Sequence, residues 1–485
     1  MKKSVSRNYI YNLAYEVLTV LVPLVTTPYV SRVLGANNIG IYSYTNSIVT
    51  YFMLFAALGT TVYARREIAY RQDDVEKKSI VFWEIVFLRL LLTIICVGLY
   101  IPYCLKSDYP SISLVQSIFV VTVAFDITWF FQGMENFGVV VLRNSIVKIL
   151  NIAFIFCLVR TSDDLIMYVL GLAVLPFLGN LVMWTQLKKY VVKPRLSQLH
   201  PQRHLKETAI LFLPTIASQV YLVLDKTMLG LFLDSKVESG LYEQSQKIIR
   251  ICWTFVTTLS LVMAPRIAYV FAQNDTAKLK EYMTKSFSAV WFLSSSISFG
   301  LAAIATNLVP WFFGPGFEKV STLLIVFSVI IFPIGLHGVI GSQYLVAIKK
   351  QSVYTISILV GAVVNFSLNL HVIPRYQATG AAVASVIAEV IIFLIQMFYV
   401  SLGLKTITIR MILGSSLRYL LSGIFMFVIV ISLSRQIQPL WYNTMLLIFV
   451  GAVVYCGTLF VMRDSLMLEF VNKARTKYLD KGLKK

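Results

Sequence analysis

The stretch 79–103, SIVFWEIVFLRLLLTIICVGLYIPY, decides the fold class of this 485-residue chain. It is apolar over most of its length, and about 17–25 mostly apolar residues make a helix that crosses a bilayer. Comparable stretches recur from one end of the chain to the other. Because a helix satisfies its backbone hydrogen bonds within one segment, such stretches predict a bundle of transmembrane helices.

We predict about fourteen membrane-spanning helices and therefore an all-α polytopic membrane protein. The predicted spans are 9–30, 39–62, 79–103, 111–132, 142–160, 165–187, 207–232, 240–264, 286–309, 321–346, 353–373, 379–402, 411–432 and 441–462.

The composition argues against a soluble protein. Hydrophobic residues make up 58% of the chain and charged residues 14%, whereas soluble domains average roughly 45–50% and about 25%. The net charge of +20 does not indicate a nucleic-acid partner, because the basic residues lie in short connectors between apolar stretches. The five cysteines and four histidines are scattered, so we predict no disulfide framework, metal site or cofactor.

The distribution of basic residues predicts the orientation in the membrane. An even number of spans places both termini on one side. If that side is the cytoplasm, most of the 43 lysines and arginines lie in inner connectors. The outer connectors then hold only Arg32, Lys106, Arg160, Lys236, Lys319, Arg375 and Arg435. This asymmetry follows the positive-inside rule and predicts cytoplasmic termini.

An internal repeat predicts the domain organisation. Gly40-Ile41-Tyr42 opens the second predicted span and Gly240-Leu241-Tyr242 opens the eighth. Because six spans separate the two copies, both run in the same direction, as in a parallel repeat that builds two lobes. We predict two pseudo-symmetric six-helix lobes around a central cavity, at 1–188 and 207–402. A cytoplasmic linker occupies 189–206, and two further helices with a basic tail occupy 403–485.

Charged residues inside the predicted spans are the candidates for function. A charge at the bilayer centre costs about 2.5–3.5 kcal/mol or more, so it usually faces water or a partner. The cations are Arg89, Lys148, Lys226, Lys247, Arg250 and Arg418, and the anions are Glu16, Asp126, Asp225 and Glu389. We interpret Arg418 and Glu16, which lie near span ends, as interfacial. The others line a cavity or form structural ion pairs, and the surplus of cations favours an anionic substrate, phosphate above all.

Signatures of soluble enzymes are absent from the sequence. There is no Walker A sequence, no H-E-x-x-H, and no G-x-S-x-G in a strand–turn–helix context. We therefore predict a transporter rather than an enzyme. A proton gradient, a sodium gradient or the membrane potential would drive it, since the chain has no ATP site.

Several blocks resemble the Wzx-type polysaccharide flippases of the multidrug/oligosaccharidyl-lipid/polysaccharide exporter superfamily. They are PYVSRVLG at 28–35, GIYS at 40–43, WFFQGME at 129–135, Asp225-Lys226, GAVVN at 361–365, and GAA at 380–382 with Glu389. The resemblance implies alternating access in the inner membrane of a bacterium. The implied substrate is an oligosaccharide repeat unit on undecaprenyl pyrophosphate, flipped to the outer leaflet for O-antigen, capsule or exopolysaccharide synthesis.

The resemblance also implies roles for individual residues. Headgroup contacts are expected from Arg32, Arg89, Lys148, Lys226, Lys247 and Arg250, and coupling or charge pairing from Asp126, Asp225 and Glu389. The implied partners are the lipid-linked oligosaccharide, membrane lipids, and a polymerase and chain-length regulator of the same pathway.

Three alternatives stay open. A cation-coupled drug or metabolite antiporter of the same superfamily would favour acidic residues in its cavity, whereas a lipid II flippase would share the cationic one. A membrane-embedded polysaccharide polymerase or ligase would need a long outer loop with catalytic residues, and the outer loops predicted here are short.

Overall fold

The computed structural model describes residues 5–194, 196–404 and 407–469, which are largely helical and, within these ranges, form no strand. The helices are α1 (Val5–Ala57), α2 (Thr60–Ala69), α3 (Val75–Lys106), α4 (Pro110–Phe125), α5 (Thr128–Gly133), α6 (Phe137–Leu158), α7 (Leu165–Leu187), α8 (Leu205–Phe232), α9 (Val237–Ala272), α10 (Thr276–Phe313), α11 (Lys319–Ser328), α12 (Ile331–Gly338), α13 (Gln351–Phe398), α14 (Ile409–Leu413), α15 (Ser416–Ser434) and α16 (Trp441–Val461). Two π-helical segments, Val339–Leu345 and Tyr399–Gly403, directly follow α12 and α13.

The described helices account for the predicted spans. Eleven helical segments are long and apolar enough to cross a membrane. Two of them, Val17–Ala69 and Gln351–Gly403, are interrupted by a non-helical residue, Gly35 and Gln377 respectively. Dividing these two at the interruptions and adding the 28-residue α8 gives fourteen spans. The predicted all-α polytopic fold class is confirmed.

The connectors differ from the prediction. The predicted loop 31–38 is helical apart from Gly35, whose φ of 73° lies in the left-handed region that glycine enters at little cost. Gln377, with φ of 54°, interrupts α13 in the same way. The predicted span 321–346 is three pieces, α11, α12 and the π-helical Val339–Leu345. Hydropathy does not register a one-residue interruption, which is why the prediction made the connectors too long.

Contacts divide the chain into two compact units, Met1–Glu243 and Gln244–Lys485. The core of the first unit is rich in aromatic rings, including Phe82, Trp129, Phe130 and Phe131, all fully buried. The predicted lobes at 1–188 and 207–402 are defined by symmetry rather than by contact. Their limits therefore stay a prediction.

The predicted linker 189–206 belongs to the first unit and contacts α3 there. The Val192 amide donates a hydrogen bond to Ser79 Oγ at 3.0 Å, and the Trp83 indole nitrogen donates to the Val192 carbonyl at 3.2 Å. These bonds fix the linker along the first turns of α3.

The two copies of the predicted repeat touch each other inside the first unit. A Cβ added to Gly40 would lie 1.7 Å from the Lys236 carbonyl oxygen, and one added to Gly240 would lie 2.0 Å from the Ala36 carbonyl oxygen. Positions 36 and 40 of one copy thus meet positions 240 and 236 of the other. Such a reciprocal contact is what a two-fold relation between the copies produces.

A hydrogen bond at the next equivalent position extends this contact. The Ser43 hydroxyl donates to Glu243 Oε2 at 3.0 Å, and these residues also stand 200 positions apart. The two copies of the sequence repeat are therefore in physical contact. Glycine is required at Gly40 and Gly240, where the two backbones approach most closely.

We predict that Gly40→Val and Gly240→Val each destabilise the protein by about 1–3 kcal/mol, because overpacking against a backbone carbonyl forces the helices apart. The measurement is the unfolding midpoint of the detergent-purified protein, followed by tryptophan fluorescence. The control is Gly98→Val in α3, where an added Cβ meets nothing within 4 Å. A midpoint equal to that of the control variant would show that the contact does not limit the packing.

Candidate functional site

Arg89 on α3 closes a break in the fourth predicted span. Because α4 ends at Phe125 and α5 begins at Thr128, the last carbonyls of α4 lack helical N–H partners. Arg89 Nη1 donates to the Asp126 carbonyl at 2.6 Å and to the Val123 carbonyl at 3.3 Å. Unpaired carbonyls are costly in hydrocarbon, so these bonds stabilise the break.

The rest of the Arg89 guanidinium is also bound. Its Nε donates to Thr60 Oγ1 at 2.7 Å and its Nη2 donates to Thr61 Oγ1 at 2.6 Å. The side chain is 1% exposed and lies 5.9 Å from the centre of the Trp129 ring. In this conformation Arg89 therefore does not line an open cavity. Its predicted contact with a substrate headgroup stays a prediction, and that contact requires this cluster to open.

Three further side chains cap the end of α4. The indole nitrogens of Trp129 and Trp184 donate to the carbonyls of Asp126 and Phe125, both at 2.9 Å. Asn180 Nδ2 donates to the Thr122 carbonyl at 3.3 Å. The Asp126 carboxylate accepts a hydrogen bond from the Thr128 amide, the first of α5, at 2.9 Å. The block WFFQGME thus directly follows the helix break, forms most of α5 and supplies one of the donors, Trp129, to the end of α4.

Arg143 on α6 is a partly buried cation that the sequence reading did not include among the site residues. It donates to the side-chain oxygens of Asn144 and Asn180 at 2.7 and 2.5 Å and to the Pro176 carbonyl at 2.5 Å. A Cβ at Gly179 would lie 2.8 Å from Arg143 Nε, so glycine makes room for the guanidinium. Arg143 also lines a cavity of about 670 Å³ between α6 and α7.

Lys226 and Asp225, adjacent on α8, bind different residues of α9. Lys226 Nζ lies 2.5 Å from Glu243 Oε2, with both side chains 12% exposed. The Tyr242 hydroxyl donates to the buried Asp225 carboxylate. Glu243, which the prediction omitted, thus compensates Lys226 and also accepts from Ser43. A headgroup that reached Lys226 would have to compete with Glu243.

The remaining predicted cations are more accessible. Lys148 on α6 donates to Thr19 Oγ1 and lies 4.3 Å from the centre of the Tyr15 ring. Arg32 in the first unit and Arg250 in the second are exposed, and Lys247 is partly buried. Among the described residues, the Arg250 side chain has neither a hydrogen bond nor an ion pair.

The structure brings only some of the predicted residues into contact. Arg89 and Asp126 meet at the α4–α5 break. In the second unit, Glu389 Oε2 lies 2.9 Å from Nε2 of His337, a residue that the prediction did not use. The convergence of the predicted cations on one substrate stays a prediction.

Glu84 on α3 is a buried carboxylate that the sequence reading missed. It accepts hydrogen bonds from the His200 amide at 2.8 Å and from Arg203, and it lies 2.8 Å from His204 Nε2. The other nitrogen of His204 lies 2.7 Å from the Tyr63 hydroxyl. Burial lowers the pKa of His204, although Glu84 opposes this effect. The sequence did contain a signal for this cluster. Glu84 is an acidic residue inside a predicted span, and the linker 189–206 carries two histidines that could pair with it.

Comparisons with known proteins identify a family and relatives of similar fold. Residues 5–271 match a family described as "Polysaccharide biosynthesis protein". A protein of Escherichia coli (strain K12) named "Putative O-antigen transporter" is 23% identical over 415 residues, which cover 82% of this chain and 97% of that protein.

Two solved structures share the fold. The lipid II flippase MurJ in its inward closed conformation has a TM-score of 0.76 at 16% identity, covering 94% of this chain and 100% of its own. An inward-facing multidrug resistance transporter of the MATE family has a TM-score of 0.65 at 14% identity, covering 79% of this chain and 94% of its own.

We predict that Arg89→Ala lowers the free energy of unfolding by about 3 kcal/mol or more, because it removes the donors of a buried network. Arg89→Lys should recover only part, since an ammonium lacks the planar fork that spans these acceptors. The measurements are the amount of protein in the membrane and the unfolding midpoint in detergent. Arg250→Ala is the control and should leave both unchanged. Wild-type values for Arg89→Ala would contradict the structural function of this residue.

A double-mutant cycle tests the pair Lys226–Glu243. Lys226→Met and Glu243→Gln should each destabilise, and the double variant should recover part of the loss, with a coupling energy of about 0.5–3 kcal/mol. The comparison pair is Lys285–Glu281, at 2.7 Å but more than half exposed, where coupling of about 0.3–0.5 kcal/mol is expected. Equal coupling in the two pairs would mean that burial adds nothing to the first.

Proposed function

Because residues 5–271 match it, the chain belongs to the polysaccharide biosynthesis protein family, and we propose that it is a flippase for lipid-linked oligosaccharides. It moves an oligosaccharide repeat unit on undecaprenyl pyrophosphate from the cytoplasmic to the outer leaflet of a bacterial inner membrane. The O-antigen transporter relative, matched over 97% of its length, supports this class of cargo. The fold shared with a lipid II flippase supports the same mode of action.

The observation that carries the proposal is that the Arg250 side chain is exposed and has no partner among the described residues. It lies on α9, a helix apolar enough to span a membrane. A cation at membrane depth needs water or a counter-charge. A guanidinium binds two phosphate oxygens at once, so pyrophosphate is a well-matched counter-charge. Lys247, one helical turn away, adds positive charge on the same face.

The proposed cycle moves only the polar part of the substrate through the protein. The polyprenyl tail stays in the bilayer, where its apolar surface is already at low free energy. The pyrophosphate and sugars cannot enter hydrocarbon without losing their hydrogen bonds to water. Exposed cations such as Arg250 replace part of that hydration while the two sides of the membrane gain access in turn. A proton or sodium gradient or the membrane potential drives the cycle.

The orientation and the partners are part of this proposal. Both termini lie in the cytoplasm, which places the linker 189–206 on the side where lipid-linked oligosaccharides are assembled. A polymerase and a chain-length regulator then receive the cargo on the outer side. The short outer loops give this chain no domain for polymerisation, so it is a transporter rather than an enzyme.

The two transport alternatives are separated by different observations. A drug antiporter is less well supported, because the multidrug transporter structure covers 79% of the chain whereas the flippase structure covers 94%. A lipid II flippase would carry the same pyrophosphate and differ only in the sugars. The family match to polysaccharide biosynthesis favours a surface-polysaccharide repeat unit over lipid II.

We predict that Arg250→Ala strongly reduces surface glycan display in a strain that lacks the native gene, with normal amounts of protein in the membrane. A lost charge-assisted contact of about 1.5–3 kcal/mol corresponds to roughly tenfold to a hundredfold slower flipping. Arg250→Lys should retain part of the display, because the charge remains but the fork is lost. The readout is surface glycan by gel and antibody.

The matched control is Arg266→Ala. Arg266 lies on the same helix and donates to the Tyr282 hydroxyl at 2.8 Å, and its loss should leave glycan display intact. Normal display by Arg250→Ala would exclude this residue from headgroup binding.

A further inference from the structure

A histidine and a glutamate form a polar pair inside the helices of the second unit. His337 Nε2 on α12 lies 2.9 Å from Glu389 Oε2 on α13, and the two side chains are 13% and 8% exposed. Both residues lie in segments that are apolar enough to cross a membrane, Lys319–Leu345 and Gln351–Gly403. Titratable residues at such positions are rare and usually functional.

The imidazole has one nitrogen left over. The contact of Nε2 with Glu389 Oε2 has an ion-pair distance without hydrogen-bond geometry; the nearby carboxylate favours the tautomer with its hydrogen on Nε2, which leaves a lone pair on Nδ1. Nδ1 is buried and has no hydrogen-bond partner among the residues the structure describes. Buried polar atoms are nearly always paired, so this nitrogen is a vacant position for a proton.

The described groups around the pair include a further titratable side chain. From α13, Tyr354 lies within electrostatic range of the Glu389 carboxylate. From α10, Ser294 approaches α12 at Gly335, and from α9, Val256 and Ser260 approach it at Gly335 and Gly338. The charged residues of α10 end at Lys285, and the π-helical segment after α12 carries none. On α13, His371 and Arg375 are exposed, whereas the His337–Glu389 pair is mostly buried.

The backbone next to His337 is unusual. The π-helical segment Val339–Leu345 begins two residues after it, and π-helical turns are rare and frequent at functional sites. Ser260 Oγ, beside Gly338, is likewise buried without a hydrogen-bond partner in the described ranges. Two buried polar atoms without a described hydrogen-bond partner therefore lie near the start of this π-helical segment.

We propose that the His337–Glu389 pair binds the proton that drives transport, an inference that rests on the flippase function proposed above. A proton from water adds to the lone pair of Nδ1 and leaves hydroxide, while the other hydrogen stays bound to Nε2 and faces the ionised Glu389 carboxylate. The pair changes from a net charge of −1 to neutral, and release of the Nδ1 proton reverses the step. The new Nδ1–H needs an acceptor, and a shift of α12 along α9 offers Ser260 Oγ.

The chemistry of the pair suits a proton better than a metal cation. Imidazole takes up a proton near neutral pH, whereas hard cations bind several oxygen ligands together. Because protonation changes the charge at membrane depth by one, both a pH gradient and the membrane potential act on this site.

The first test measures proton binding without transport. The full-length protein, labelled with ¹⁵N-histidine in lipid nanodiscs, is titrated by NMR between about pH 5 and pH 9, the range in which histidine changes charge. The chain has four histidines, so single His→Gln variants assign the signals. We expect His337 to convert to imidazolium, with about tenfold lower proton affinity in Glu389→Gln and an unchanged midpoint for His371. A His337 ring that stays neutral throughout, or a midpoint unaffected by Glu389→Gln, overturns the proposal.

The second test measures coupling in proteoliposomes, with undecaprenyl pyrophosphate bearing one N-acetylglucosamine as the probe. We expect a pH gradient to accelerate flipping by the wild type about tenfold. His337→Gln and Glu389→Gln should lose this acceleration but keep slow equilibration without a gradient, and His371→Gln should behave as the wild type. Acceleration by sodium alone, or acceleration that survives in both variants, refutes the coupling. A wild type that moves no lipid refutes the flippase function instead, and the NMR titration still decides the proton site.

Discussion

A backbone carbonyl inside hydrocarbon must accept a hydrogen bond from a donor within the protein. At the end of α4, this requirement determines how the neighbouring helices of the first unit pack. The break at Asp126–Ile127 frees several carbonyls of one helical turn. Arg89 from α3, Trp129 from α5, and Asn180 and Trp184 from α7 supply the donors. One interruption thus ties four helices together, because each donor must arrive from a different direction.

The cations in the predicted spans belong to two groups that composition alone cannot separate. Arg89 and Lys226 are engaged by the protein, one by neutral oxygens and the other by Glu243. Arg250 and Arg32 are exposed. The first group stabilises the fold, and in the second group the Arg250 side chain has no hydrogen bond or ion pair among the described residues. Counting intramembrane charges therefore overstates the size of a binding site unless each partner is known.

Sequence reasoning predicted what depends on local pattern. The spans follow from apolar length, and the repeat follows from two glycine motifs that the structure brings into contact at Gly40 and Gly240. The prediction placed a loop at 31–38, where the structure has helix interrupted only at Gly35. Hydropathy gives no signal for an interruption of one residue, so the prediction could not locate it. The partners Glu243 and His337 were missed because each is paired with a residue distant in sequence, and pairing is a property of the folded chain. Arg143 was missed because it stands at the predicted edge of a span.

The hydrogen bond between Ser43 and Glu243 joins equivalent positions of the two repeat copies that differ in residue type, and this difference bears on how such a chain can evolve. In a dimer of identical subunits, a residue near the two-fold axis faces its own copy, so a glutamate there would oppose a glutamate and both would resist ionisation. Joining the two copies in one gene removes that restriction, because each side can then mutate alone. Here one side is serine and the other a carboxylate that also holds Lys226. Fusion of the copies permits an asymmetric, charged contact that a symmetric dimer cannot encode.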